Sequence, residues 1–114
     1  MLERLCLVKK CCVMAEFSIV PVGTCETSVS RYVATVVESF LAIDGLEFEV
    51  TPMGTIFAAD ELGTILEAVR TAHEALAEMG AKRVASTLRI DDRRDKPRTM
   101  QDKVDAVKRQ LKKT

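Results

Sequence analysis

The sequence predicts an α+β domain on three observations: stretches that alternate apolar and polar residues, two longer stretches whose apolar residues recur every three or four positions, and Gly or Pro at the junctions between them. Ala15-Glu16-Phe17-Ser18-Ile19-Val20 alternates, with Phe17 and Ile19 on one side and Glu16 and Ser18 on the other. It closes at Pro21-Val22-Gly23, so it reads as a half-buried first strand. The period then changes to that of a helix: Val29, Val33, Val36, Val37, Phe40 and Leu41 form one apolar stripe, which Ser28 or Ser30 can cap and Asp44-Gly45 stops. Leu46 to Thr51 alternates strictly, and Thr55 to Ala59 follows Pro52-Met53-Gly54, a hairpin with a tight Pro/Gly turn. Asp60 stands where it can cap a second helix carrying Leu62, Ile65, Leu66, Val69, Ala72, Leu76 and Met79. Gly80 ends that helix, at a position that favours left-handed backbone. Arg83 to Ile90 reads as a fourth strand, and Asp91 to Pro97 as a densely charged turn. Thr99 and Asp102 have capping-box spacing ahead of Val104, Val107 and Leu111, a short third helix with a narrow apolar stripe.

The order is βαββαβ with a C-terminal helix, the ferredoxin-like arrangement of an antiparallel sheet covered on one face by both main helices. Right-handed crossovers place strands 1 and 3 in the middle. By alternation the opposite face carries Glu16, Ser18, Glu47, Glu49, Thr51, Thr87, Arg89 and Asp91, a polar surface on which a function is to be sought.

With 114 residues and 47% hydrophobic content the chain builds one modest core, so association with further copies is expected. Met14 precedes the first clear strand pattern, and the reading divides the chain into a leader or appended arm at 1–13 and a ligand-binding domain at 14–114. The 17 basic and 17 acidic residues balance, yet unevenly: residues 1–81 carry 5 Lys and Arg against 12 Asp and Glu, and residues 82–114 carry 12 against 5. Such a split fits a basic tail that pairs with acidic surface on the same or a neighbouring subunit, or a nucleic-acid surface. The zero total gives no long-range attraction to polyanions. Cys6, Cys11, Cys12 and Cys25 have neither disulfide-framework nor zinc spacing and read as free thiols. No stretch approaches a membrane span or a signal-peptide core, so the expected location is the cytoplasm.

Few residues offer catalytic chemistry. Nucleophilic catalysis needs a base within hydrogen-bond reach of the nucleophile, and the single His73 lies on the second helix, where a pairing with the neighbouring strand is the plainer role. One His without clustered thiols leaves only carboxylates for a metal, so neither metal nor cofactor is expected. The glycines form no phosphate cradle. The same layout serves RNA-recognition domains, but those need exposed aromatics on the central strands. Only Phe17 and Phe57 are available, and Phe17 shares its face with Ile19.

Five runs in order, Val20-Pro21-Val22-Gly23-Thr24, Thr27 to Val33, Thr51-Pro52-Met53-Gly54-Thr55, His73-Glu74 and Ile90 to Lys96, resemble the signature runs of the YkoF-like thiamine-binding protein family across residues 14–111. The resemblance implies a ferredoxin-like subunit that pairs into homodimers, often homotetramers, and binds thiamine or its hydroxymethylpyrimidine part without catalysis. Thiamine joins a flat aminopyrimidine, which wants directed hydrogen bonds, to a thiazolium cation, which wants a carboxylate or an aromatic face. Within that resemblance the candidate ligand-binding residues are Glu16, Ser18, Thr51, Met53, Gly54 and Thr55. Glu16 is there to neutralise the cation, the hydroxyls to hydrogen-bond, the Met53 thioether to meet a flat ring, and Gly54 to let backbone approach the ligand. The run Asp91 to Lys96 reads as a solvated turn or an ion-pair network, with an oxyanion site at Arg93, Arg94 and Lys96 as the second reading. The competing function is a structural or regulatory homo-oligomer of the same fold without thiamine binding. An enzyme acting on thiamine intermediates comes third.

Overall fold

A computed structural model describes residues 13–95 and 100–112. The elements run β1 (Val13–Pro21), α1 (Ser30–Phe40), β2 (Glu47–Thr51), β3 (Gly54–Ala59), α2 (Leu62–Glu78), β4 (Val84–Asp92) and α3 (Met100–Lys112). The four strands form one sheet in the order β2-β3-β1-β4, antiparallel at every junction. Strands 1 and 3 are therefore adjacent and central, and the domain has the ferredoxin-like α+β fold with its C-terminal helix.

Alternation puts the apolar half of each strand against both helices. Phe17, Phe40, Phe48 and Phe57 are all at most 1% exposed. Phe57 stacks on Phe17 at 5.7 Å between ring centroids and meets the edge of Phe40 at 5.0 Å. Val36 and Val37 of α1 and Ile65, Ala68, Ala72 and Leu76 of α2 close this layer from above. Since both central-strand phenylalanines are buried, neither can stack a base, and the feature that RNA recognition would need is not on the surface.

Several boundaries differ from the sequence reading. β1 begins at Val13, which pairs with Ala59 and Asp92 and is 2% exposed, so the strand starts within the segment read as a leader. No alternation marks that start, because Val13 and Met14 are both apolar and serve opposite faces of the sheet. The serine cap expected for α1 does not form. Val29 is the N-cap of α1 without a side-chain cap bond, while the Ser28 and Ser30 hydroxyls lie 3.3 Å from each other. For α2 the N-cap position is Glu61, in extended backbone, the residue after Asp60. β4 continues through Asp91 and Asp92, so the charged turn begins two residues later than the sequence reading has it. Gly80, with φ of +98°, ends α2 as expected. Cys25 is an exposed free thiol. The other cysteines, the rest of the leader, Lys96 and the Thr99 capping position lie outside the described residues.

On the outer face of α2, Arg70 donates to Glu67 at 2.6 Å and to Glu74 at 3.1 Å. The hydrogen bond from Arg70 holds the Glu67 carboxyl below the ordinary 4.5. A depressed carboxyl stabilises the fold above its unfolded value and loses that contribution as the pH falls through the folded one. An NMR titration is expected to show the Glu67 midpoint below that of an unpaired glutamate, and to move it upward in Arg70→Ala. An unchanged midpoint in the variant would break the assignment.

The face away from α1 and α2 carries Glu16 beside Arg89, Ser18 beside Thr87 and Glu49 beside Ile56, in the register that alternation requires. It is less polar than the sequence reading has it, because Met14 and Ala58 are buried there with Ile56 packed against them. At one end Lys103 of α3 forms an ion pair with Asp91.

Candidate functional site

The β2–β3 hairpin is short, and this creates a cleft. Its turn at Thr51–Gly54 stops β3, so pairing with β1 ends at Phe17 opposite Thr55 while β1 runs on to Pro21. Ser18 to Val20 therefore present a backbone edge without a β3 partner. The cleft opening in that gap has a volume of about 190 Å³. Its walls are Phe17 and Ile19 of β1, Val33, Val36 and Val37 of α1 with the N-cap residue Val29, and Val50 of β2. Its polar rim is Ser18, Thr51 and Thr55, with Pro52, Met53 and Gly54 closing the hairpin end. No charged residue lines it. A shallower hollow of about 600 Å³, bounded by Ser28, Ser30 and Ala34, shares Val29, Val33, Val37 and Val50 with it.

Each rim residue is placed for a local reason. Thr51 donates its hydroxyl to the Gly54 carbonyl at 2.8 Å, which ties the turn and leaves the oxygen lone pairs to accept. Gly54 is required by packing: a Cβ there would lie 2.7 Å from the Phe17 carbonyl oxygen. The close approach it permits is to the backbone of β1. Thr55 is 7% exposed, and its hydroxyl has no hydrogen-bond partner among the described residues. Met53 stands at the tip, 87% exposed.

The fold thus brings together Ser18, Thr51, Met53, Gly54 and Thr55 and leaves Glu16 apart. Two residues along a strand is about 7 Å, and Glu16 lines a different groove of about 420 Å³ on the open face, with Met14, Glu49, Ile56, Arg89, Lys103 and Val104. Sequence reasoning missed the valines as site residues. Val29 and Val33 sit on the helical stripe it assigned to the core, and the signal available was only that this stripe is wider than a core contact needs.

His73 Nε2 lies 2.7 Å from the Ser86 Oγ of β4. The pair ties α2 to an edge strand, as the plainer reading of His73 has it, and neither residue lines the cleft or the groove. His73→Ala is expected to cost about 1 kcal/mol of stability by loss of one hydrogen bond and to leave small-molecule binding unchanged. Denaturation and calorimetry of the same variant check both halves. Arg93 pairs with Asp95 at 2.9 Å and Arg94 with Asp92 at 3.0 Å, which makes the charged turn an ion-pair network. The described residues contain no cluster of three or more His, Cys, Asp or Glu that could hold a metal, and no helix long and apolar enough to cross a membrane.

Fold and cleft together define a ferredoxin-like α+β domain with a small, uncharged, valine-lined cleft at the hairpin end of its sheet. The sequence model of the family described as thiamine-binding protein matches residues 15–108, and the chain belongs to that family. A UPF0045 protein of Methanothermobacter thermautotrophicus is 44% identical over 99 residues, covering 87% of this chain and 99% of its own. The UPF0045 protein YqgV of Bacillus subtilis is 39% identical over 101 residues, 86% of this chain and 96% of that one. Among solved structures, the hypothetical protein MJ1052 of Methanocaldococcus jannaschii superposes with a TM-score of 0.75 at 40% identity, over 83% of this chain and 94% of that chain.

Proposed function

We propose that this chain is a non-catalytic binder of thiamine or of free hydroxymethylpyrimidine, that it takes the pyrimidine ring in the valine-lined cleft, and that it works in the cytoplasm as a homodimer or homotetramer. The observation that carries this reading is the cleft's combination of uncharged apolar walls with a free strand edge and the Thr55 hydroxyl. A flat, neutral heterocycle with exocyclic nitrogen fits such a surface, since its faces pack on Val33, Val36 and Val50 while its edge exchanges hydrogen bonds with backbone and Thr55. A thiazolium cation does not fit inside, because burial without a counter-charge is costly. The inner volume is also below the ~300–1,000 Å³ of sites that enclose drug-sized ligands, which suits one ring. The second ring then lies outward, over Met53 or the shallow hollow. The family match supports the ligand class.

Titration calorimetry with hydroxymethylpyrimidine, thiamine and the thiamine phosphates tests this. Binding of the pyrimidine is expected, together with an affinity about fivefold weaker in Thr55→Val, the worth of one hydrogen bond of about 1 kcal/mol. No heat from any of these compounds with the intact oligomer would favour the structural or regulatory reading instead.

A further inference from the structure

A residue of an antiparallel strand sends its N–H and C=O groups to one side, and the next residue sends them to the other. On β1 the sides are fixed at two points. The Phe17 carbonyl faces the hairpin, since a Cβ on Gly54 would stand 2.7 Å from its oxygen, and the Val22 N–H faces β4, donating to the Arg83 carbonyl at 2.8 Å. Pairing with β4 runs unbroken from Val13 to Pro21, so no bulge shifts the alternation between them. Odd-numbered residues of β1 therefore face β3 and even-numbered ones face β4. Val13, Ala15 and Phe17 stand opposite Ala59, Phe57 and Thr55. Ile19 is the next of this set, and the same register carried on would put Met53 opposite to it. The hairpin turns there instead. Met53 is 87% exposed at the tip, and the Ile19 N–H and C=O have no hydrogen-bond partner among the described residues. Pro21, the last of the odd set, has no N–H to offer. One donor and one acceptor of a single residue thus open into the cleft that Ile19 lines.

We infer that the backbone of Ile19 is the specificity-determining group of the cleft, and that it selects heterocycles with an exocyclic amino group beside a ring nitrogen, which complete the ladder where a residue opposite Ile19 would stand. This rests on the cleft as the pyrimidine site. A residue in that place would accept from the Ile19 N–H and donate to its C=O. The edge of an aminopyrimidine does the same in the plane of its ring, the nitrogen accepting and the amino group donating. Backbone groups cannot exchange these roles as a hydroxyl can, so the order of the two is read strictly. The 4-oxo analogue reverses it, with a protonated ring nitrogen that donates and a carbonyl that accepts. It meets both groups only turned over, with its hydroxymethyl arm at the opposite end of the cleft. Leaving a desolvated donor or acceptor unpaired costs more than one bond is worth, and this sets the discrimination.

Amide hydrogen exchange of the full chain, read by NMR with and without saturating hydroxymethylpyrimidine, tests this. In the free chain the Ile19 amide is expected to exchange about tenfold or more faster than those of Ser18 and Val20, which face β4, and saturation is expected to remove most of that difference. By calorimetry the 4-oxo analogue is expected to bind about tenfold or more weakly than the amino form. Ile19→Pro deletes the donor at a position outside the ladder, where a strand tolerates proline. It is expected to weaken binding of the pyrimidine by about tenfold or more while the Ser18 and Val20 amides stay protected. An Ile19 amide as slow as its neighbours in the free chain overturns the inference, and so does equal affinity for the amino and oxo forms. An Ile19 amide that stays fast in protein saturated with the pyrimidine also overturns it, and leaves the ligand of the chain standing. No heat from either form overturns the proposed function and the inference together.

Discussion

Phe57→Ala is expected to lower the unfolding free energy by about 3–5 kcal/mol, the usual range for removing a fully buried ring. Phe57 is 0% exposed on the central strand β3 and touches the rings of both Phe17 and Phe40, so its removal leaves a void between the sheet and α1 that no neighbour is free to fill. Against a typical total of about 5–15 kcal/mol that loss is severe. Urea denaturation of parent and variant at one fixed protein concentration measures it, because stability and association are linked. A loss under about 1 kcal/mol would mean that the ring lies outside the core.

Gly54→Ala is the second large effect, and it joins stability to the site. The added methyl meets a backbone carbonyl, that of Phe17, at 2.7 Å, and backbone cannot swing aside as the end of a side chain can. The hairpin must move off β1 at the junction where the cleft opens. The expected cost is about 1–3 kcal/mol, as for other overpacked sites, accompanied by weakened ligand binding because Thr51 and Thr55 move with the turn. Denaturation and calorimetry on the same protein check the two together. An alanine variant as stable as the parent and binding equally well would contradict the role given to Gly54.

The sheet was legible because a half-buried strand writes its faces into the sequence: Phe17 and Ile19 could not share a side with Glu16 and Ser18. The extension of β1 to Val13 was not, since two successive apolar residues carry no period even when each serves a different face. The cleft was half legible. The Thr51–Thr55 run marked the hairpin end, but periodicity tells which side of α1 is apolar and not where its covering element stops, so Val29 and Val33 looked like core. Glu16 failed to join the other candidates for a related reason. Alternation fixes the face of a residue and says nothing of its distance along the strand from a turn made by other residues. The bond between His73 and Ser86 links positions 13 apart in different elements, and only the fold brings them together.

The central claim is that the valine-lined cleft holds the pyrimidine ring, and methyl-resolved NMR of the chain titrated with hydroxymethylpyrimidine tests it most directly. The largest shifts are predicted at Val29, Val33, Val36, Val37 and Val50, with Ile56 and Val104 in the open-face groove unmoved. Shifts concentrated at Ile56 and Val104, with the cleft valines silent, would contradict it.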